Sequence, residues 1–247
     1  MNWPAGVGHF SFEEVTSTLD LAREQAAHHP NATWFTATQQ TASRGRRGRS
    51  WVAPVGNFYG TLSLPCVNLE TASLRSFVAA LAVYDALSEL MRDGPKLALK
   101  WPNDVLLNDG KVAGILLESL LVNGKMWGVA VGIGVNLTTA PLMSQVEDGA
   151  IYPVSVKNET GVDVTPDTFL KHLASAFAQW DGQLTTYGFA PIRTAWLARA
   201  AKLGENITAR LPNEDVKGRF DTVDQNGHLV LKTANGQRYI AAADIFF

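Results

Sequence analysis

Cysteine is almost missing from this chain: Cys66 is the only one in 247 residues. A single thiol excludes a disulfide framework and any zinc site built on cysteines. No apolar run approaches the roughly 20 residues of a membrane span. Met1-Asn2-Trp3-Pro4 lacks the charged-then-apolar pattern of a secretory leader. The expectation is a soluble, cytoplasmic protein with no membrane partner. One-sided charge is missing as well. The 21 basic and 23 acidic side chains leave a net −2, without the wide positive footprint of a dedicated nucleic-acid binder. Neither a G-x-S-x-G elbow nor a G-x-x-x-x-G-K-[ST] loop occurs, so serine hydrolysis on that pattern is excluded and any ATP binding is of a non-Walker kind. His28-His29 close a predicted helix with no cysteine or carboxylate at ligand spacing, which reads as a dipole-favoured surface pair.

Against this even background one stretch stands out: Ser43-Arg44-Gly45-Arg46-Arg47-Gly48-Arg49-Ser50-Trp51. Four guanidiniums within six residues repel one another, so a fold keeps them together where several anionic groups will sit. The glycines let backbone amides approach such a ligand closely, and nests of this kind bind phosphate. A second cluster follows at Lys100-Trp101-Pro102-Asn103-Asp104, with Lys111-Val112-Ala113-Gly114 just beyond it.

The surrounding pattern predicts where these clusters sit. Residues 16–28 form an amphipathic helix capped by Ser17 or Thr18, with Leu19, Ala22 and Ala26 at helical spacing. Trp34 to Thr38 and Phe58 to Leu64 read as strands, which puts the arginines on an inter-strand loop carried by a rigid scaffold. An apolar helix covers Leu74 to Met91, and a strand from Lys96 ends at Trp101-Pro102. Asn108-Asp109-Gly110 joins two strands as a hairpin. The glycines alternating with Val and Ile over Met126 to Asn136 mark close approach by a ligand or another backbone. A long helix spans Pro166 to Tyr187, and a shorter one runs from Pro191 to near Ala200. After Gly204 come short strands at Ile207 to Leu211, Val216 to Val223, His228 to Lys232 and Arg238 to Ala242, spaced as in a small antiparallel barrel. The fold class is α+β, with residues 1–200 as the larger domain and 201–247 as a small β domain.

Together the two clusters hold what carboxylate activation by ATP needs. The arginines can neutralise a carboxylate and a polyphosphate at once, being permanently protonated and able to fork around oxygens. Lys111, just past the hairpin turn, adds a compact positive charge. Asp104 is a ligand for phosphate-bridging Mg²⁺ or a proton acceptor for an incoming amine. Trp51 offers a flat face to a purine.

At this point the residues resemble a family. Gln39 to Trp51 resembles the signature loop of biotin protein ligases. Lys100 to Asp104, followed by Lys111 to Ile115, is similar to their second signature, and Gly132-Ile133-Gly134-Val135-Asn136 to a third. Order and spacing fit, with Ser17-Thr18 upstream, over roughly Val15 to Asn136. The resemblance implies a mixed sheet packed with helices, like class II synthetases, and an SH3-like β-barrel at the C-terminus. It implies that biotin attacks ATP to give biotinyl-5′-AMP, which then acylates a lysine on the biotin carboxyl-carrier domain of acetyl-CoA carboxylase or a related carboxylase. ATP and biotin would be substrates, with Mg²⁺. Ser17, Thr18, Gln40, Arg44, Arg46 and Lys111 would hold biotin, with Gly114 and Gly132 shaping its pocket. Arg44 and Arg46 would clamp the adenylate phosphate, Arg49 the departing pyrophosphate, and Trp51, Asn103 and Asn136 the nucleotide. Lys111, Arg46 and Asp104 would form the catalytic set.

Two positions depart from the family pattern. Ser43 stands where glycine is common, which would strain a positive φ, and Leu19 replaces an asparagine. The competing readings are a lipoate or octanoate ligase or transferase of the same fold, and a nucleic-acid-binding module. The resemblance begins near Val15, leaving no room for a winged-helix domain, so the expectation is a short form without DNA binding, monomeric or homodimeric.

Overall fold

The computed structural model describes residues 2–65, 69–91, 95–147 and 149–247. Met1 and Cys66 lie outside them. The elements run β1 (Gly8–Val15), α1 (Thr18–Gln25), β2 (Thr33–Gln40), β3 (Phe58–Pro65), α2 (Leu69–Ala72), α3 (Arg75–Met91), β4 (Leu97–Lys100), β5 (Asp104–Leu107), β6 (Gly110–Val122) and β7 (Lys125–Val135). They continue with α4 (Val156–Thr160), α5 (Pro166–Tyr187), α6 (Phe189–Leu197), β8 (Asn206–Arg210), β9 (Asp215–Val223), β10 (Leu229–Thr233), β11 (Gly236–Ile240) and β12 (Asp244–Phe246).

The first seven strands form one mixed sheet in the order β1-β2-β3-β7-β6-β5-β4. Only β1 and β2 pair in parallel, because α1 carries the chain over the sheet between them, as a parallel connection requires. Strand β1 escaped the sequence reading. It is an edge strand, mostly exposed, and its Glu13-Glu14 pair dilutes the apolar signal while protecting the edge from other chains.

The alternation along Val129 to Val135 shows how the sheet is dressed. Side chains of successive strand residues point to opposite faces. Val129, Val131, Ile133 and Val135 enter the main core, which α3, α5 and α6 cover with Leu81, Leu87, Phe169, Phe177 and Trp196. Ala130 faces the other way, into a smaller core with Leu19 and Ala22 of α1 and Ala26 just past its end. Gly132 and Gly134 share that second face, and their missing side chains leave room beside α1. The space they leave is where the site forms.

Local chemistry fixes the helix ends. Ser17 caps α1, its Oγ accepting from the Leu19 amide at 3.2 Å. Thr165 caps α5 ahead of Pro166, and Gly188 ends it with φ +73°. The hairpin between β5 and β6 places Asn108 and Asp109 at φ 49° and 67°, the left-handed values such a two-residue turn demands.

The last five strands form an antiparallel sheet in the order β11-β10-β9-β8-β12. The expected barrel takes this form, with no pairing recorded between β11 and β12 among the described residues. Strand β12 was not foreseen; it exists by pairing with β8. This sheet is fastened to the rest of the chain. Trp101 Nε1 donates to Gly227 O at 3.0 Å and Arg193 to Thr222 Oγ1 at 2.9 Å. Phe220, Val223 and Leu229 belong to the same apolar cluster as α3. No helix among the described residues is long and apolar enough to cross a membrane.

A methyl group on Gly128 would stand 2.2 Å from the Leu64 carbonyl oxygen on β3, too close for any rotamer to relieve. Gly128→Ala is therefore expected to destabilise the chain by about 1–3 kcal/mol, read as a lowered urea midpoint with an unchanged slope.

Candidate active site

A cavity of about 430 Å³ opens on the glycine face of the large sheet. Its lining comes from the start of α1, the end of β2, the Arg-Gly loop, the β4–β5 turn, β6 and β7, and the last residues of the chain. Every site residue expected from the sequence lines it, including Arg46 and Lys111, 65 positions apart in the chain.

One end is polar. Gln40 Oε1 accepts from the Thr18 amide at 2.8 Å and from Thr18 Oγ1 at 3.1 Å, while Thr61 Oγ1 donates to Thr18 Oγ1 at 2.9 Å. The backbone donor fixes the orientation of the Gln40 amide. What Gln40 keeps for the cavity is therefore its pair of N–H donors. Leu19 packs beside this end on Gly132, where an added methyl would meet its side chain at 3.0 Å. The departure from asparagine thus supplies an apolar surface.

At the centre, Gly114 and Gly134 are direct partners across β6 and β7, and the Trp51 indole lies on both. A methyl on Gly134 would be 2.8 Å from the ring and one on Gly114 2.9 Å. One face of the indole is therefore taken by strand backbone, leaving the other for any purine. Lys111 Nζ lies 5.4 Å from the indole centroid. Trp51 Nε1 and Asn136 Oδ1 are buried without a hydrogen-bond partner. Such orphaned groups are costly unless something else satisfies them.

Asp104 stands between two ammonium groups, Lys111 Nζ at 2.7 Å and Lys100 Nζ at 3.8 Å. Burial, with the Lys111 charge beside it, lowers the Lys100 pKa against the opposing pull of Asp104. The described residues contain no cluster of three His, Cys, Asp or Glu fit for a metal. With its carboxylate already paired to two lysines, Asp104 is not free to hold a resident Mg²⁺.

The Arg-Gly loop folds back over the cavity. Ser43 closes its base, Oγ donating to Trp51 O at 2.5 Å and its carbonyl accepting from Trp51 N at 3.2 Å. Ser43 is not among the positive-φ residues, so its side chain strains nothing. At the tip, Arg47 and Gly48 take φ 57° and 72°. The four arginines then part company. Arg44 forks onto Asp20 at 2.7 and 2.8 Å and reaches Glu118 at 3.1 Å, and Arg23 joins the same two carboxylates. Arg47 and Arg49 both reach Asp244 Oδ2, at 2.7 and 2.6 Å, and Arg49 also pairs with Glu147 at 2.6 Å. Arg46 meets only neutral oxygens, Asn103 Oδ1 at 3.5 Å and Ala243 O at 3.3 Å. Burial lowers its pKa, although a guanidinium stays protonated at any ordinary pH. Among the described loop residues it is the cation left for a ligand.

The comparisons with known proteins agree with this geometry. The biotin/lipoate A/B protein ligase family pattern matches residues 10–136, and the biotin protein ligase C-terminal domain matches 202–247. A biotin–[acetyl-CoA-carboxylase] ligase of Paracoccus denitrificans is 56% identical over 94% of this chain and 97% of that protein. The chain belongs to the biotin/lipoate A/B protein ligase family. The bifunctional ligase/repressor BirA of Bacillus subtilis is 30% identical over 96% of the chain and 73% of that protein. In fold, the chain is similar to a biotin protein ligase from Aquifex aeolicus solved with biotin and ATP, with TM-score 0.81, 24% identity, and 96% and 97% of the two chains covered. A Leishmania major biotin protein ligase solved with biotinyl-5-AMP superposes with TM-score 0.67 at 27% identity, over 97% of this chain and 100% of that one.

Sequence reasoning missed the acids of this family member's site: Asp20, Glu118, Glu147 and Asp244. No local signal marks them, since Asp244 lies 195 positions from Arg49. Asp20 was within sight, three residues past the helix cap. Its carboxyl is held below the ordinary range by the Arg44 hydrogen bond.

Two outcomes follow from these contacts. Gly134→Ala should drive Trp51 off the sheet and lower nucleotide-dependent activity by about tenfold or more, with the far-ultraviolet dichroism unchanged. A depressed carboxyl stabilises the fold above its unfolded pKa, and that contribution is lost as pH falls through the lower folded value. Asp20→Asn should therefore destabilise the fold at pH 7 by no more than about 1 kcal/mol in this solvent-bathed network, read as a lowered melting temperature. The gap to the parent should narrow towards pH 3.

Proposed function

We propose that this chain is an ATP-dependent ligase that activates biotin as biotinyl-5′-AMP and transfers the biotinyl group to a lysine of a biotin carboxyl-carrier domain of the acetyl-CoA carboxylase type. One observation carries the reading: a half-buried guanidinium whose hydrogen-bond partners are all neutral, Arg46, lines the same cavity as Lys111. Two anions that must react with each other need that arrangement. The 56% identity to a biotin–[acetyl-CoA-carboxylase] ligase supports the substrate class.

In the first step a biotin carboxylate oxygen attacks the α-phosphorus of ATP. The bond to the bridging oxygen breaks, and pyrophosphate leaves with the electron pair. Arg46 and Lys111 lower the repulsion between the reactants and stabilise charge as it shifts, the kind of electrostatic term that dominates such sites. In the second step the lysine nitrogen attacks the acyl carbon, the acyl–oxygen bond breaks and AMP departs. Asp104, beside both lysines, is the candidate acceptor for the amine's proton. Ser17, Thr18 and the Gln40 N–H donors suit the ureido end of biotin, with Leu19 and Gly132 along its apolar part. Trp51, Asn103 and Asn136 take the nucleotide, and Arg49 the departing pyrophosphate. Arg44, anchored to Asp20 and Glu118, serves to set the loop in place as much as to hold phosphate. Mg²⁺ enters with ATP. Residues 1–200 form the catalytic part and 201–247 a small β domain that completes the roof of the cavity. The reaction belongs in the cytoplasm, where ATP and carboxylases occur, and the chain acts as a monomer or homodimer without DNA binding.

The shared family leaves lipoate as the rival substrate. Pyrophosphate exchange should proceed with biotin and not with lipoate, and a carrier fragment should gain one biotinyl group by mass; exchange with lipoate alone would overturn the assignment. Lys111→Gln and Arg46→Gln should each lower the rate of adenylate formation by about 10²–10³-fold, measured by single-turnover mixing, with melting temperatures close to the parent's.

A further inference from the structure

The loop's charges are already occupied by the chain's own carboxylates. Arg44 is bound within its own layer, to Asp20 on α1 and Glu118 on β6. Arg47 and Arg49 are bound differently. Their shared partner, Asp244, opens the last strand of the chain, and its backbone is held by pairing with Arg210 on β8. Both guanidiniums converge on one oxygen of that carboxylate, and Glu147 approaches Arg49 from the other side. Asp244 lines the cavity and is only 17% exposed. Arg49 also reaches the other Asp244 oxygen at 3.5 Å, a forked contact of the kind arginine makes to carboxylate and phosphate alike, filled here by a side chain.

We infer that Asp244, assisted by Glu147, is a positioning residue that stands in for the polyphosphate: it holds Arg49 at the cavity, with Arg47 beside it, until the phosphates of the nucleotide displace it. This inference rests on the ligase reading of the site. A phosphate chain brings more charge and more acceptor oxygens than one carboxylate, so it wins the exchange, but it binds only after the internal pair is broken. Holding the loop closed helps binding as well. That benefit is the smaller one, because Ser43 at the loop base and the Arg44 network keep the loop in place without Asp244. A carboxylate left within a few ångströms of the phosphates opposes them directly.

The test is calorimetric titration of the full chain with inorganic pyrophosphate. Asp244→Asn keeps the shape and removes the charge, and it should bind pyrophosphate about tenfold more tightly or better. Its KM for ATP should fall in step while its KM for biotin stays within about twofold, a split that a merely structural role would not produce. Glu147→Gln, at the exposed rim, should shift in the same direction by less, and it decides the matter should Asp244→Asn fail to fold. Glu214→Gln removes an equal charge from the β8–β9 connection, where it pairs with Arg238, and should leave pyrophosphate affinity unchanged. Unchanged or weaker binding in both acid variants overturns the inference, as does equal tightening in the Glu214 control. A parent chain that biotinylates a carrier fragment while neither acid variant tightens sinks this inference alone. Failure of the parent in both assays sinks the ligase reading with it.

Discussion

Repulsion among four guanidiniums is the constraint on which the site depends. Left alone, the Arg-Gly loop would spread into solvent. The fold gathers it by bringing acids from four remote segments: α1 and β6 for Arg44, the 141–153 stretch for Arg49, and the last strand for Arg47 and Arg49. One arginine, Arg46, is outside that settlement, half-buried against neutral oxygens. The result is one guanidinium without an acid partner, lining the same cavity as Lys111, with the rest of the loop neutralised around it.

The space for that charge comes from the sheet. Period-two alternation sends the branched residues of β7 into the main core and leaves Ala130, Gly132 and Gly134 on the opposite face. Because Gly114 and Gly134 are register partners, two missing side chains fall side by side, and an indole fits flat where they would have been. The same residues thus serve packing and chemistry. Depth of core on one face permits a hollow on the other.

The C-terminal sheet has a part in this arrangement that its own residues do not announce. Its strands are short and ordinary, yet Ala243 and Asp244 supply partners to three loop arginines. It completes the loop's environment through β12, a three-residue strand whose existence depends on pairing with β8. Such a strand is too short to carry a pattern, which is why it could not be read from the chain.

Much was nevertheless legible in the sequence. Helix α5 runs from Pro166 to Tyr187 as expected, because Thr165, Pro166 and Gly188 punctuate it locally. The β5–β6 hairpin follows from Asn108-Asp109-Gly110, and the glycines over β7 mark close approach, by backbone at Gly128 but by the Leu19 and Trp51 side chains at Gly132 and Gly134. The charged motifs named the cavity's residues before any of them was placed. Backbone punctuation and side-chain period act over a few residues, so a linear sequence suffices to express them. Tertiary structure alone decided the rest: that Trp51 would rest on glycines, that Arg44 would be spent on Asp20 and Glu118, and that Asp244 would reach across the chain to Arg47 and Arg49. Those contacts depend on distances between segments far apart in sequence, and charge pairing has no period by which a sequence could declare it.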